Sequence, residues 1–294
     1  MGGAQSGQGM GHRMAMRSIT KLDKSDVLSG LFAEWDAIDA LLEGLPEARW
    51  RAATPLPGWS VQAVVSHIIG TESFLEGIAP PEVDIDVSEL EHVRNDIGAM
   101  NERWVRHLSG EPGTGVLERY RAVTNGRREV LASMSDDDWD APMPTPAGMD
   151  SYGRFMRIRT FDCWMHEQDI RVALQRPSSD DELDGAASQL CLDEIAATLG
   201  FVVAKLAKAP DGSRVSFDLT GPLARTINVS VDGRAQLVDD FGVQEPTATI
   251  RLDALQFTRL VGGRPMCPAR IQDVELGGDK DVAAQIVKRL NFVI

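Results

Sequence analysis

Positive charge is scarce in this chain. Its 294 residues hold 30 Lys and Arg against 44 Asp and Glu, a net charge of -14. That balance excludes a general nucleic-acid binder, because phosphate contacts need a basic surface. One local basic patch is expected, from Arg154, Arg157, Arg159 and Arg171. Cysteine is also scarce: Cys163, Cys191 and Cys267 are odd in number, widely spaced and form no CxxC pair. A disulfide framework is excluded, and reduced thiols in or near cores are expected. No run approaches the roughly 20 apolar residues of a membrane helix. The N-terminus has no apolar signal-peptide core. A cytoplasmic location follows as the expectation.

Several catalytic signatures are missing as well. There is no glycine-rich phosphate loop, no GxSxG elbow and no Ser/His/Asp ordering with supporting context. His166-Glu167 begins like a zinc-protease HExxH, but Ile170 stands where the second histidine belongs. Only five histidines are present. His12 lies in the N-terminal tail, and His92 and His107 fall near helix ends, where surface positions are expected.

What is present divides the chain in two. Residues 1–20 are rich in Gly, Ser, Gln and Met without periodicity, and read as a disordered tail or a mis-assigned start. Residues 21–176 read as helices. Apolar residues at three- and four-residue spacing mark about Ser25–Leu45, Val61–Gly77 after a Ser60 N-cap, weakly Val93–Leu108, then Val116–Met134 and Ser151–Leu174. The Pro-rich stretch from Asp136 to Met149 reads as a loop. Residues 183–294 change character. A long helix is expected from Leu183 to Lys208. Alternating strands follow at 215–219, 227–231, 235–238 and 248–252, with Asp232-Gly233 as a hairpin signal. Short helices at 255–260 and 279–290 end the chain. The fold class is a two-domain α+β protein, a helical bundle followed by a small α+β domain.

The helix at 151–174 carries the chemistry. Asp162 and His166 are four apart, so a helix projects both from one face. A carboxylate and an imidazole so placed can grip one divalent cation. His67, within the apolar stripe of an earlier helix, is the candidate third ligand. Three protein ligands leave a fourth position for chemistry, and facing helices of a bundle can supply them. The competing reading makes His166 a hydrogen-bonded, partly buried histidine and Asp162 the partner of Arg159 or another arginine. Asp169, three after His166, is either an acceptor that orients an imidazole or a surface charge. Trp59 and Trp164 read as core or pocket wall rather than as cofactor stackers.

Thr54-Pro-Leu-Pro-Gly-Trp-Ser60, leading into Val61-Gln-Ala-Val-Val-Ser-His67-Ile-Ile-Gly70, resembles the second helix of mycothiol-dependent maleylpyruvate isomerase-like proteins, a branch of the DinB-like metal-binding bundles. Asp162-Cys-Trp-Met-His166-Glu-Gln-Asp169 resembles their fourth-helix motif. Leu252-Asp-Ala-Leu-Gln-Phe-Thr-Arg-Leu-Val-Gly-Gly-Arg264 resembles their sterol-carrier-like C-terminal domain. The resemblance covers about residues 22–294. It implies an up-down four-helix bundle with a divalent metal, usually zinc, on His67, Asp162 and His166. It also implies mycothiol as thiol cosubstrate and an active-site arginine from the C-terminal domain, for which Arg264 and Arg270 are candidates. One departure stands out: the carboxylate ligand is commonly Glu in the isomerase, and Asp162 is shorter by about 1.5 Å of reach. The implied function is a thiolate-using cis–trans isomerase or S-transferase acting on a small, acidic electrophile. The alternative is a non-catalytic metal- or ligand-binding protein of the same fold. No nucleic-acid or membrane partner is expected, and the chain is a monomer or homodimer.

Overall fold

The computed structural model describes residues 19–264 and 274–291. Four helices close a ring around the first core: α1 (Lys24–Leu42), α3 (Val61–Leu75), α5 (Gly113–Ser133) and α7 (Tyr152–Leu174). A single turn, α2 (Glu47–Trp50), joins the first two, and α4 (Asp96–Leu108) packs outside α3. Four of these helices start where the sequence supplies a side-chain cap. Asp23, Ser60, Asn95 and Ser151 accept backbone N–H groups at the starts of α1, α3, α4 and α7. The apolar stripes read from periodicity fill the interior, with Leu31, Trp35, Ile38, Val64, Ile68, Val116, Tyr120 and Leu131 buried.

Between α5 and α7 the expected loop is structured. It forms α6 (Asp136–Trp139) and a hairpin of β1 (Pro142–Thr145) and β2 (Gly148–Ser151). The hairpin escapes periodicity because both strands have four residues and β1 contains two prolines. It leads directly into α7. Thr20 donates from its N–H and hydroxyl to Asp150 at 2.6 and 2.9 Å, and its carbonyl accepts from Ser151. The disorder expected through residue 20 therefore does not extend to Thr20. Residues 1–18, with His12, lie outside the described residues.

After α7, Gln175 adopts the left-handed conformation (φ 57°) and ends the helix. The long helix expected from 183 is interrupted. It comprises α8 (Asp180–Leu183), α9 (Ala186–Phe201) and a π-turn at Val202–Leu206. Ala186–Leu206 is, against expectation, long and apolar enough to cross a membrane by length and composition, and about half of it is buried inside the protein. One side of α9 packs on α1 and α7, the other on the sheet. Gly30 of α1 permits the first contact: a Cβ there would lie 2.3 Å from Leu190.

The sheet has the order β5-β4-β3-β6-β7, formed by β3 (Arg214–Thr220), β4 (Arg225–Asp232), β5 (Arg234–Val238), β6 (Ala248–Asp253) and β7 (Glu275–Gly278). Only the β3–β6 pair is parallel. Gly233 makes the expected tight turn, pairing Asp232 with Arg234. Two further helices, α10 (Ala254–Val261) and α11 (Lys280–Val287), complete this half. Its core takes in Phe161, Trp164 and Met165 from α7. Helix α7 thus belongs to both cores, and 17 of its 23 residues are buried.

Candidate metal centre

Helices α3 and α7 bring His67, Asp162 and His166 together. One donor atom from each lies within 4.8 Å of the others. His67 Nε2 is 3.1 Å from Asp162 Oδ2, and His166 Nε2 is 3.5 Å from Asp162 Oδ1. Bonds of about 2.0–2.2 Å to one tetrahedral cation put neighbouring donors about 3.3 Å apart. The two His–Asp separations are of that order, so the three residues are placed to share one small divalent ion. Both histidines are buried, while the Asp162 side chain is 31% exposed, so the cluster opens to solvent at the carboxylate. Trp59 covers the rings, with centroids 5.4 Å from His67 and 6.2 Å from His166. Its indole N–H is anchored on buried Glu102 at 2.8 Å. Trp59 is a wall of the site. Trp164 is core, donating to Ser188 between α7 and α9.

The alternative partner for Asp162 is present too. Arg159 donates to Asp162 Oδ2 and, from Nε, to Glu72 at 2.9 Å. Glu72 also accepts from Arg127 at 3.0 Å, and Arg127 reaches the Tyr152 hydroxyl at 2.8 Å. Glu72 and Arg127, which no sequence motif singles out, thus form a buried charge chain behind the site. Glu72 lies on α3 five residues after His67. The apolar surroundings marked a helix face but not the arginine that would meet it. The expected basic patch does not form. Arg154 and Arg157 pair with Glu194, Arg159 with Glu72, and Arg171 with Glu167, all buried. An arginine on a buried helix face requires a carboxylate partner.

The surroundings divide the titrating groups. Burial pushes the His67 imidazole down, and the Asp162 carboxylate only partly offsets it. Burial acts the same way on His166, but Asp162 and Asp169 together hold it above its ordinary value. Burial would raise Asp162, yet His166, Arg159 and His67 keep it well below the usual carboxylate range. His67 Nδ1 is buried and has no hydrogen-bond partner among the described residues. Cys163 is shut away, and burial pushes its thiol up. It points at Arg159, not at the cluster opening.

Asp169 behaves as an orienting acceptor. Its Oδ2 lies 3.3 Å from His166 Nδ1. The same carboxylate receives Arg264 bidentately, Nε at 3.0 Å and Nη2 at 2.7 Å, while Nη1 donates to the Gly262 carbonyl at 2.7 Å. Arg264 therefore does come from the C-terminal half to the centre, but its fork is occupied by Asp169 rather than free for a substrate. Arg270 lies outside the described residues. Away from the site, His92 is exposed as expected and also bonds Glu102 at 2.7 Å. His107 is exposed, as expected.

Fold and cluster together define a class: a four-helix bundle with an inward His-Asp-His triad, backed by a small α+β domain. Residues 31–171 match the mycothiol maleylpyruvate isomerase N-terminal domain, and residues 189–285 match the MDMPI C-terminal domain. The chain belongs to the mycothiol-dependent maleylpyruvate isomerase-like family. Its fold is similar to that of the mycothiol-dependent maleylpyruvate isomerase and of a histidine-to-alanine mutant of it. The TM-scores are 0.57 and 0.56 at 14% identity, over 87% of this chain and 93% of theirs. Among curated proteins it is similar to two uncharacterised proteins of Mycobacterium tuberculosis, strains CDC 1551/Oshkosh and H37Rv. Each is 27% identical over 156 residues, 52% of this chain and 58% of the relative. The match thus spans little more than half the length of these relatives.

Proposed function

We propose that this chain is a metal-dependent enzyme that uses a low-molecular-weight thiol, mycothiol, as a thiolate nucleophile toward a small acidic electrophile. Isomerisation of a cis double bond is the reading that family membership favours, and S-transfer is its variant. The observation that carries the proposal is the convergence of His67, Asp162 and His166 donors within 4.8 Å at an opening to solvent. Their residue types and spacing suit zinc. What a bound divalent cation supplies here is acidity, since a coordinating thiol is deprotonated outright.

The protein groups set the charge of the pocket. Asp162, Glu72 and Asp169 are matched by Arg159, Arg127 and Arg264. The side chains are thus balanced before any cation arrives. A divalent cation leaves two positive charges uncompensated, which favours a thiolate together with an anionic substrate. Trp59 shields the ring face from water, and Asp169 holds the His166 ring in place. The thiolate adds to one alkene carbon, and the electron pair of the double bond moves into the conjugated carbonyl as an enolate. The bond left single rotates. Return of the pair expels the thiolate and restores the alkene, with no net proton change. In a transferase the enolate takes a proton and the thioether is the product.

A second reading, a non-catalytic module, draws on one observation: Arg159 already neutralises Asp162 without a cation. Metal analysis of untagged protein, followed by incubation with mycothiol and maleylpyruvate, separates the two. The proposal expects bound divalent metal, lost in His67→Ala and His166→Ala, and isomerisation that requires both metal and thiol. Metal-loaded protein that neither consumes thiol nor isomerises substrate overturns it. Wild-type protein without metal favours the module.

A further inference from the structure

The contact between Arg264 and Asp169 joins the two halves of the chain at the one carboxylate that touches the back of a histidine in the cluster. Asp169 is 3% exposed and Arg264 9%. Both Asp169 oxygens accept N–H groups of Arg264, so the carboxylate is an acceptor. It therefore accepts a hydrogen bond from His166 Nδ1–H, which leaves Nε2 as the atom facing Asp162. Asp169 is free to rotate unless something fixes it. The guanidinium fixes it by a two-point fork, a geometry that sets orientation as well as charge. Arg264 is in turn held by the Gly262 carbonyl. The space there is tight: a Cβ on Gly262 would lie 2.5 Å from Met165 Cε and 3.0 Å from Arg264 Nη1. Met165 is the neighbour of His166 on α7.

We propose that Arg264 is a positioning residue. Through Asp169 it fixes the ring of His166, so that the His67–Asp162–His166 cluster is fully formed only when the Arg264 fork is in place on Asp169. The C-terminal half is then part of the centre rather than a separate ligand carrier. This rests on the metal-binding reading given above for the function of the cluster, but its geometry can be tested without metal.

The experiment compares wild type with Arg264→Gln, Arg264→Lys and Glu194→Gln. Glu194 of α9 pairs with Arg154 and Arg157 of α7, so its variant loosens the same interface away from the cluster. Two quantities are read: zinc affinity by competition with a chelator, and solvent exchange of the His166 Nδ1 proton by NMR in metal-free protein. Loss of an outer partner of a metal-binding histidine typically weakens metal binding about 10–100-fold. Arg264→Gln is expected to lose affinity in that range and to speed proton exchange at least about tenfold. Arg264→Lys, which keeps charge without the fork, falls between, and it decides the matter should the glutamine variant not fold. Glu194→Gln keeps both wild-type values. The proposal is overturned if Arg264→Gln and Arg264→Lys match wild type, or if Glu194→Gln weakens both readouts equally, which would make docking alone the cause. If wild type binds no zinc, the metal reading fails by itself, and proton exchange still decides the role of Arg264.

Discussion

His67 and His166 sit side by side, yet their surroundings push them in opposite directions, and that fixes how the centre responds to pH. His67, lowered by burial, is neutral and ready as a ligand across the neutral range. His166 is held above its ordinary value, so a proton competes for it at higher pH than for a free histidine, whose value is about 6.5. A raised folded-state value stabilises the metal-free protein below the unfolded value, and this is lost as pH climbs through the folded one. Zinc binding follows the reverse course, because it requires the proton to leave. Asp162, held low, is ionised throughout this window. The rise in melting temperature on adding zinc should therefore be larger at about pH 8 than at about pH 6. Differential scanning fluorimetry with and without metal checks this, and an equal shift at both would refute it. Cys163 gives a second expectation. It adjoins Asp162 in sequence, but burial raises its thiol, so Cys163 is not the reactive sulfur. In folded protein, Cys163 and Cys191 should resist iodoacetamide, as peptide mapping would show, and Cys163→Ala should keep its metal. The triad was legible because two members stand one helical turn apart and the third lies in an apolar stripe. The charges around it were not: Glu72 shares α3 with His67, Arg127 and Arg264 come from elsewhere in the chain, and nothing local marks which arginine meets which carboxylate. Glu34 shows the same limit from the other side. It lies among the apolar positions of α1 and is buried, and burial together with the Glu167 carboxylate raises its carboxyl well above the ordinary range.

At the scale of elements, the helices were legible wherever period and cap agreed, as in α3, where Ser60 precedes the stripe that carries His67. What periodicity does not report is how closely two helices approach. Gly70, one turn after His67, faces α4. A Cβ there would lie 2.4 Å from Trp104 Cγ and 2.8 Å from its Cβ. Alanine has the better helix propensity by about 1 kcal/mol, but the tryptophan's own Cβ and ring base have little freedom to retreat. Overpacking of this kind costs about 1–3 kcal/mol, so Gly70→Ala should be destabilising despite its propensity. Urea denaturation checks the sign, and a stabilised variant would refute the close packing. Gln175 carries the opposite expectation. Its exposed side chain sits on a left-handed backbone that glycine adopts without strain. Gln175→Gly should stabilise by roughly 0.5–1 kcal/mol, measured the same way. Strands β1, β2 and β7 were missed for a shared reason: each has four residues, and their proline and glycine content erases alternation.

Across the whole molecule, the division read from composition is real in secondary structure but not in packing. The change of character near residue 180 precedes the five-stranded sheet, which starts at Arg214 after α8 and α9. It does not mark where one core stops, because α7 supplies Phe161, Trp164 and Met165 to the C-terminal core and Met156, Cys163 and Ile170 to the bundle. A helix that is apolar on two sides shows no clean single-face period, so its double role is hidden in the sequence. Helix α9 reinforces the joint by lying between α1 and α7 on one side and β4 and β5 on the other. Buried ion pairs from Glu194 to Arg154 and Arg157, and from Asp169 to Arg264, cross the same boundary. Undocking would also expose the α7 face shared by both cores, so the two halves are expected to unfold together. The protein should accordingly unfold in one transition in guanidinium, with far-UV circular dichroism and tryptophan fluorescence coinciding. Trp164 reports the C-terminal core, while Trp35, Trp50 and Trp139 report the bundle. Separate midpoints for helix content and fluorescence would mean that the halves fold independently, and that a shared α7 does not bind them into one cooperative unit.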